Sequence, residues 1–412
     1  MMKFSDKFKS IRTRFKTITS MPAFPVLLAL CAAHSLNDLL QSVITAVYPM
    51  LKAELNLDFS QIGLITLVYQ ISSSIFQPVV GFAFDKRPFI YSLPMGMVAT
   101  SIGIAMFSYC SSMAGILIAV FMVGIGSATL HPEASRITSL AGRERRGFAQ
   151  SIFQVGGNFG GSIGPLLVAL IVSPHGRHYV LWFLVFSTLA FAAMTPIVKW
   201  YSGYLSDVRR HPESHTKSLA LPLSKKKTIF VIGVIMVLIF SKYVYMASLS
   251  SYYTFYLMQK FGISVKLSQI FLFIFVVSTA AGTLVGGPVG DRYGRKLVIW
   301  ISILGTAPFS LLLPHASLPV TAVLSFCAGF MLSSAFPAIL LYAQELLPTK
   351  LGMISGLFFG FAFGVGGIAS AVLGNFADTY GIEAIYKFCA YMPLIGIVAC
   401  LLPNLKNKEL PK

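Results

Sequence analysis

A chain of 412 residues that is 56% hydrophobic and only 11% charged is not a soluble domain, where roughly 25% of residues are charged and a single core leaves no such apolar excess on the surface. A mean hydropathy of +0.76 excludes a disordered chain, and five cysteines without a CxxC pair exclude a disulfide scaffold or a cysteine metal site. The net charge of +18 suggests nucleic acid in a soluble protein, but in a membrane protein it reports which side the loops occupy.

About 20 apolar residues cross a bilayer core. In chain order twelve stretches qualify: 23–48, 60–84, 90–109, 113–135, 147–172, 178–199, 228–257, 266–290, 296–313, 318–345, 351–376 and 383–404. They are continuously apolar, as at 113–130, and lack the alternation of barrel strands. The reading is an all-α membrane protein with a tail 1–22, a six-helix bundle 23–199, a linker 200–227, a second six-helix bundle 228–404 and a tail 405–412. The basic, then apolar N-terminus imitates a signal peptide, but its apolar run is too long for one. Sorting the hydrophilic segments by parity puts 26 Lys and Arg on the side of the N-terminus and linker, against Lys52, Arg177, Lys260 and Lys266 on the other. That asymmetry places both termini in the cytoplasm.

The two bundles repeat one another. Tyr48, Met50, Lys52, Ser60, Gln61 and Ile62 recur 208 residues later as Tyr256, Met258, Lys260, Ser268, Gln269 and Ile270. Gly124, Pro132, Gly147 and Phe153 recur at 205 as Gly329, Pro337, Gly352 and Phe358. Parallel six-helix repeats about an axis along the membrane normal are a transporter architecture.

Gly287-Pro288-Val289-Gly290-Asp291-Arg292-Tyr293-Gly294-Arg295-Lys296 resembles the G-x-x-x-D-R-x-G-R-R motif of the major facilitator superfamily, in the loop between spans 8 and 9. Its first-half copy, Gly81 to Asp85, is degraded: Arg87-Pro88 stands in place of x-Gly. The glycines permit close helix approach and a tight turn. An aspartate at a helix end pairs with cationic loop residues and a neighbouring helix N-terminus, a clasp that holds the two halves in one state. Longer strings resemble a bacterial drug-exporter branch of the superfamily: His34-Ser35-Leu36-Asn37-Asp38, Leu130-His131-Pro132-Glu133, Gln150 to Asn158, Ile239 to Tyr243, Ser250 to Tyr256 and Tyr342 to Pro348. The resemblance implies a monomeric inner-membrane exporter, lipid-embedded, free of cofactor and driven by protons. Its implied substrate is a small phosphonate-hydroxamate, an anion at neutral pH.

The residues point to a site independently. Ionisable groups inside a span are costly and mark function by default. Asp38 and Lys242 each lie about 14 residues into their span, roughly 21 Å at 1.5 Å per residue. His34 precedes Asp38 by one turn, and Asn37 and Gln41 continue that side. Asp38, Glu133 and His34 are the proton-carrying candidates. Lys242 supplies a cation for an anionic substrate, with Tyr245, Tyr252 and Tyr256 following it at roughly helical spacing; a structural ion pair with Asp38 is the alternative. Spans 1 and 7 line the central cavity in the family resembled. His131, Gln154 and Asn158 complete the binding candidates, the last two on a polar stripe with Gln150 that equally suits helix–helix hydrogen bonding. Glu133 and Arg136 are spaced to pair along one helix. Arg136, Arg292 and Glu345 join the loop-motif residues as gating candidates. His131 and Glu133 lack HExxH spacing, so no metal is expected, and an intramembrane enzyme lacks a nucleophile–base set. The leading reading is proton/anion antiport by alternating access; an uptake symporter for another organic anion or a sugar is the rival.

Overall fold

The computed structural model describes residues 23–57, 59–211 and 223–405. The expected tail 1–22, the heart of the linker at 212–222 and the last residues 406–412 lie outside them. Among the described residues there is no strand, and twelve helices are long and apolar enough to cross a membrane. They are α1 (Phe24–Ala46), α2 (Leu64–Lys86), α3 (Ser92–Tyr109), α4 (Met113–Gly142), α5 (Arg146–His175), α6 (Arg177–Arg210), α7 (Lys225–Phe261), α8 (Ile270–Tyr293), α9 (Arg295–His315), α10 (Leu318–Leu346), α11 (Leu351–Tyr380) and α12 (Ile382–Leu401).

Local chemistry sets their ends. Ser112 Oγ accepts from Gly115 N and so caps α4. Gly294, at φ 97°, separates α8 from α9, and Gly381, at φ 86°, separates α11 from α12; only glycine takes such a conformation at little cost. Several helices outrun their apolar stretch. The sixth hydrophobic stretch ends at 199, yet α6 runs on to Arg210, because no proline interrupts 200–210 and the single Gly203 costs only about 1 kcal/mol.

The repeat visible in the sequence reappears as packing. Within the halves, α1 packs on α5 and α7 on α11, while α4 packs on α2 and α3, and α10 on α8 and α9. Between the halves, α2 meets α11 and α8 meets α5, two contacts that the pseudo-twofold relation exchanges. The face carrying the α2–α3, α4–α5, α6–α7, α8–α9 and α10–α11 connections holds most of the Lys and Arg and is called here the basic face.

Candidate transport site

A cavity of about 170 Å³ lies where the halves meet, lined from α1, α5, α7, α8, α10 and α11. From the first half come His34, Asp38, Gln154, Gly157 and Asn158. From the second come Lys242, Tyr243, Met246, Thr279, Thr283, Ser333 and four-ring walls completed by Phe336, Phe359 and Phe363. One wall therefore carries a carboxylate and the other a cation among aromatic rings.

Asp38 sits between two imidazoles. His34 Nε2 lies 3.2 Å from its Oδ2 and His131 Nε2 lies 3.3 Å from its Oδ1. Both rings are held from behind: His34 Nδ1 is 2.7 Å from Phe153 O, and His131 Nδ1 is 3.0 Å from Ser127 O. His34 also stacks on Phe153, with ring centroids 4.0 Å apart. The ligand atoms of His34, Asp38 and His131 all lie within 4.8 Å of one another, so the three can gather one or more protons, and two imidazoles with a carboxylate are also a donor set that suits a small divalent ion. The expected absence of metal was argued from His131 and Glu133; the cluster that forms is a different one. Gly157 makes room for it. A Cβ there would stand 2.5 Å from His34 Nε2 and 2.7 Å from Asp38 Oδ2.

Lys242 is buried, with Nζ 5.1 Å from the centroid of Tyr243 and 4.9 Å from that of Phe336. Among the described residues it is in no ion pair, and Asp38 is paired with histidines instead. The tyrosines expected beside it are elsewhere. Tyr245 is buried in the second half, Tyr252 Oη donates to Ser370 O at 2.5 Å, and Tyr256 stacks on Tyr386 with centroids 4.0 Å apart. Spacing of three and four residues follows one helix side, but the cavity side of α7 is the neighbouring one, with Tyr243 and Met246. Asn37 and Gln41 are likewise off the cavity lining: Asn37 Nδ2 donates to Asp38 Oδ1 at 3.1 Å, and Gln41 Oε1 accepts from Tyr69 Oη at 2.8 Å. His131 stands behind Asp38 rather than in the lining, under Phe359 and Phe363.

On the basic side of the cavity the halves are in contact. Asp85 accepts from Gly352 N at 2.9 Å and Met353 N at 2.8 Å, at the start of α11. Asp291 accepts from Gly147 N and Phe148 N, both at 3.0 Å, at the start of α5. Each aspartate thus satisfies orphan N–H groups of a helix belonging to the opposite half. Gly81 lies against Gly352, and Gly147 against Gly287, too closely for any Cβ. Arg295 pairs with Asp291 at 2.6 Å and Glu345 at 3.4 Å. In the first half, whose loop copy is degraded, Arg136 of α4 takes that position, 3.2 Å from Asp85 and 3.1 Å from Glu133, with Tyr201 Oη 2.5 Å away. Glu133 is therefore committed to this cluster and not to Asp38. Arg292 is exposed against its neighbour Tyr293 and takes no part.

Between these clasps and the cavity lies a neutral polar net, of which the sequence shows only Gln150, on its polar stripe, and not the serines and Gln344. Ser139 Oγ donates to Gln344 Oε1 at 2.5 Å, Ser135 Oγ to Ser355 Oγ at 3.2 Å, and Gln150 Nε2 to Ser139 Oγ at 2.9 Å. All five side chains are buried. Ser139 and Gln344 are 205 apart, the repeat offset, so equivalent positions bond across the pseudo-twofold axis. On the far side of the cavity, a Cβ added to Gly161 or Gly364 would meet nothing within 4 Å. The halves are thus closed on the basic face, while beyond the cavity Gly367 of α11 still lies against Gln70 of α2.

The profile of the Major Facilitator Superfamily matches residues 30–272 and 231–412. The chain is 51% identical over 393 residues to the fosmidomycin resistance protein of Escherichia coli (strain K12), covering 95% of this chain and 96% of that one. It is 38% identical over 383 residues to the uncharacterized MFS-type transporter YfnC of Bacillus subtilis (strain 168), covering 92% and 93%. Its fold is similar to that of the fucose:proton symporter FucP of Escherichia coli, with a TM-score of 0.69 over 91% of this chain and 97% of that chain at 18% identity. With the twelve-helix repeat and the cavity between its halves, these matches show that the chain is a multi-pass membrane transporter, not an enzyme, and belongs to the major facilitator superfamily.

Proposed function

We propose that this transporter exports a small organic anion of the fosmidomycin kind in exchange for protons. In this reading it sits in a bacterial inner membrane as a monomer, with the basic face and both termini cytoplasmic. The observation that carries the reading is the pairing of opposites across one cavity, with Asp38 and His34 on the first-half wall and Lys242 on the second. The fosmidomycin resistance protein named above supplies the substrate class.

Lys242 neutralises the anionic head, and the rings around it cover the carbon part. Asp38 accepts either a proton or a hydrogen bond from an N–H or O–H of the substrate, so the two compete for the same oxygens. With the basic face closed, the site takes protons from outside. Rocking of the halves then opens it inward, where the substrate displaces them. Burial and neighbouring cations act on a carboxyl group in opposite senses, so the same motion changes the hold on the proton.

Proteoliposomes test the reading. Fosmidomycin efflux should accelerate when the side opposite the basic face is made acidic, and Asp38→Asn should remove that response. Efflux indifferent to an imposed pH gradient would sink the coupling. Counterflow with phosphonates, other organic anions and sugars separates export of this class from the uptake of another.

A further inference from the structure

Proton exchange leaves one property of the two cavity imidazoles unexplained. The Nε2 atoms of His34 and His131 are buried without a hydrogen-bond partner, although each faces a carboxylate oxygen of Asp38, at 3.2 and 3.3 Å. A charge-assisted N–H···O bond is about 2.7–2.9 Å long, so both approaches are long for one, and neither has its geometry. A buried polar atom without a hydrogen-bond partner calls for a physical explanation, and an ion is one.

The spacing is that of a coordination shell. In a tetrahedron with bonds of about 2.0–2.1 Å, as zinc makes to imidazole, neighbouring ligand atoms stand about 3.3–3.4 Å apart. His34 Nε2, His131 Nε2 and a carboxylate oxygen of Asp38 gather within 4.8 Å of one another, and the two imidazole-to-carboxylate distances are close to that edge length. The rings come from α1 and α4 nearly at right angles, with centroids 5.0 Å apart. Both have the support that metal-binding histidines find on their other nitrogen. His34 Nδ1 donates to Phe153 O at 2.7 Å. His131 Nδ1 has Ser127 O at 3.0 Å and Ser127 Oγ at 3.2 Å; an ion on Nε2 leaves the ring hydrogen on Nδ1, where either oxygen accepts it. Asn37 Nδ2 donates to Asp38 Oδ1 at 3.1 Å and steadies the carboxylate. Room on the remaining side comes from Gly157, where a Cβ would stand 2.5 Å from His34 Nε2 and 2.7 Å from Asp38 Oδ2. Gly157 lines the cavity together with His34 and Asp38, so that side opens on the cavity. Among the described residues no other three His, Cys, Asp or Glu side chains gather in this way.

We propose that His34, Asp38 and His131 bind one divalent transition-metal ion of the zinc class, with its fourth coordination position open to the cavity. Two imidazoles and one carboxylate with an open position form a set that zinc accepts. The nitrogen donors disfavour magnesium and calcium, which take oxygen ligands. The ion occupies the Asp38 oxygens that exchange uses, so it arrests export. That consequence rests on the exchange reading, whereas binding of the ion does not.

Zinc alone tests the site, on purified transporter whose five native cysteines are replaced so that no thiolate competes. Calorimetry is expected to find one tightly bound ion per chain, and X-ray absorption of the loaded protein two imidazoles in its shell. His34→Gln and His131→Gln should each weaken binding by more than about 100-fold, beyond the roughly 10–100-fold of an outer-shell change. The paired replacement His175→Asn with His178→Asn, at the two rings beside Tyr179, should leave binding unaltered. A protein that takes up no zinc, a shell without two imidazoles, undiminished affinity in His131→Gln, or binding lost with His175 and His178 instead overturns the proposal. The first two outcomes do not depend on how well any histidine variant folds. In proteoliposomes zinc should inhibit fosmidomycin efflux, and a chelator should restore it. Efflux indifferent to bound zinc overturns the arrest. Absence of fosmidomycin efflux with or without zinc overturns the export reading, while zinc bound in calorimetry still supports the site.

Discussion

Gly157 decides whether the carboxylate and its imidazoles can assemble. Its missing side chain is the space that His34 and Asp38 occupy against α5. Gly157→Ala places a methyl 2.5 Å from His34 Nε2, and overpacking of this kind costs about 1–3 kcal/mol. The outcome expected is a folded transporter with a modestly lower melting temperature and a weakened response to pH gradients; an unaltered pH profile would separate the cluster from coupling. Lys242 is the other decisive side chain. A hydrogen bond to a charged group contributes about 1.5–3 kcal/mol, so Lys242→Gln should weaken fosmidomycin binding by about 10- to 100-fold. Titration of the purified variant by calorimetry checks this, and wild-type affinity would remove Lys242 from the site. Because its ammonium lies over Tyr243 and Phe336, Lys242→Gln also gives up a cation–π contact, which a melting curve without substrate records separately.

Among the elements, the short helix Tyr48–Glu54 is pinned to the start of α6. Arg177 Nε and Nη2 donate to the Glu54 carboxylate at 2.9 and 2.8 Å, and Nη1 donates to Phe107 O at the end of α3. Three segments of the first half are thereby joined on the face opposite the basic one. The hydrogen bonds from Arg177 hold the Glu54 carboxyl below the usual carboxylate range, against the opposing effect of partial burial. A lowered folded-state value means that this stability is present above the unfolded value, about 4.3, and is lost as pH falls through the folded one. Glu54 is half-exposed, which keeps the contribution small. Thermal unfolding of Glu54→Gln should show a lower melting temperature at neutral pH, from the buried Arg177 left without its counter-charge, and a shallower decline on acidification. Equal acid sensitivity in both proteins would show that the pair contributes nothing to the pH dependence.

At the scale of the whole molecule, two aspartates and a neutral net keep the basic face shut. Asp85 and Asp291 each accept two backbone N–H groups from the other half. An asparagine offers one acceptor oxygen and turns its amide NH2, itself a donor, toward the second donor. Asp85→Asn with Asp291→Asn should therefore shift the population toward the state open on the basic face, by about 1.5–3 kcal/mol per site, or roughly tenfold or more. Ser355→Cys, in a background without the five native cysteines, reports the opening: alkylation is expected to be slow in the parent and clearly faster with both asparagines. Equal rates would mean that the clasps do not set the equilibrium. The Ser139–Gln344 bond on the pseudo-twofold axis has no titratable member. That bond is thus insensitive to pH, unlike the carboxylate clasps beside it.

The number of crossings, the parallel repeat and the rarity of charge inside the spans are properties of composition and of position along one chain, and the sequence by itself determined them. Asp38 and Lys242 stood out there because an ionisable group in an apolar stretch is conspicuous without knowledge of its neighbours. Only the tertiary structure decided what each would meet. Helical spacing shows which residues of α7 share a side, but not which side the bundle turns to the cavity, so Tyr245, Tyr252 and Tyr256 were grouped with Lys242 while Tyr243 and Met246 line the space. His131 reaches Asp38, and Arg136 replaces the arginine missing from the first loop copy, because α4 packs against α1 and α2. Rotation and packing of helices arise from the fit of side chains between distant segments, which no local pattern encodes.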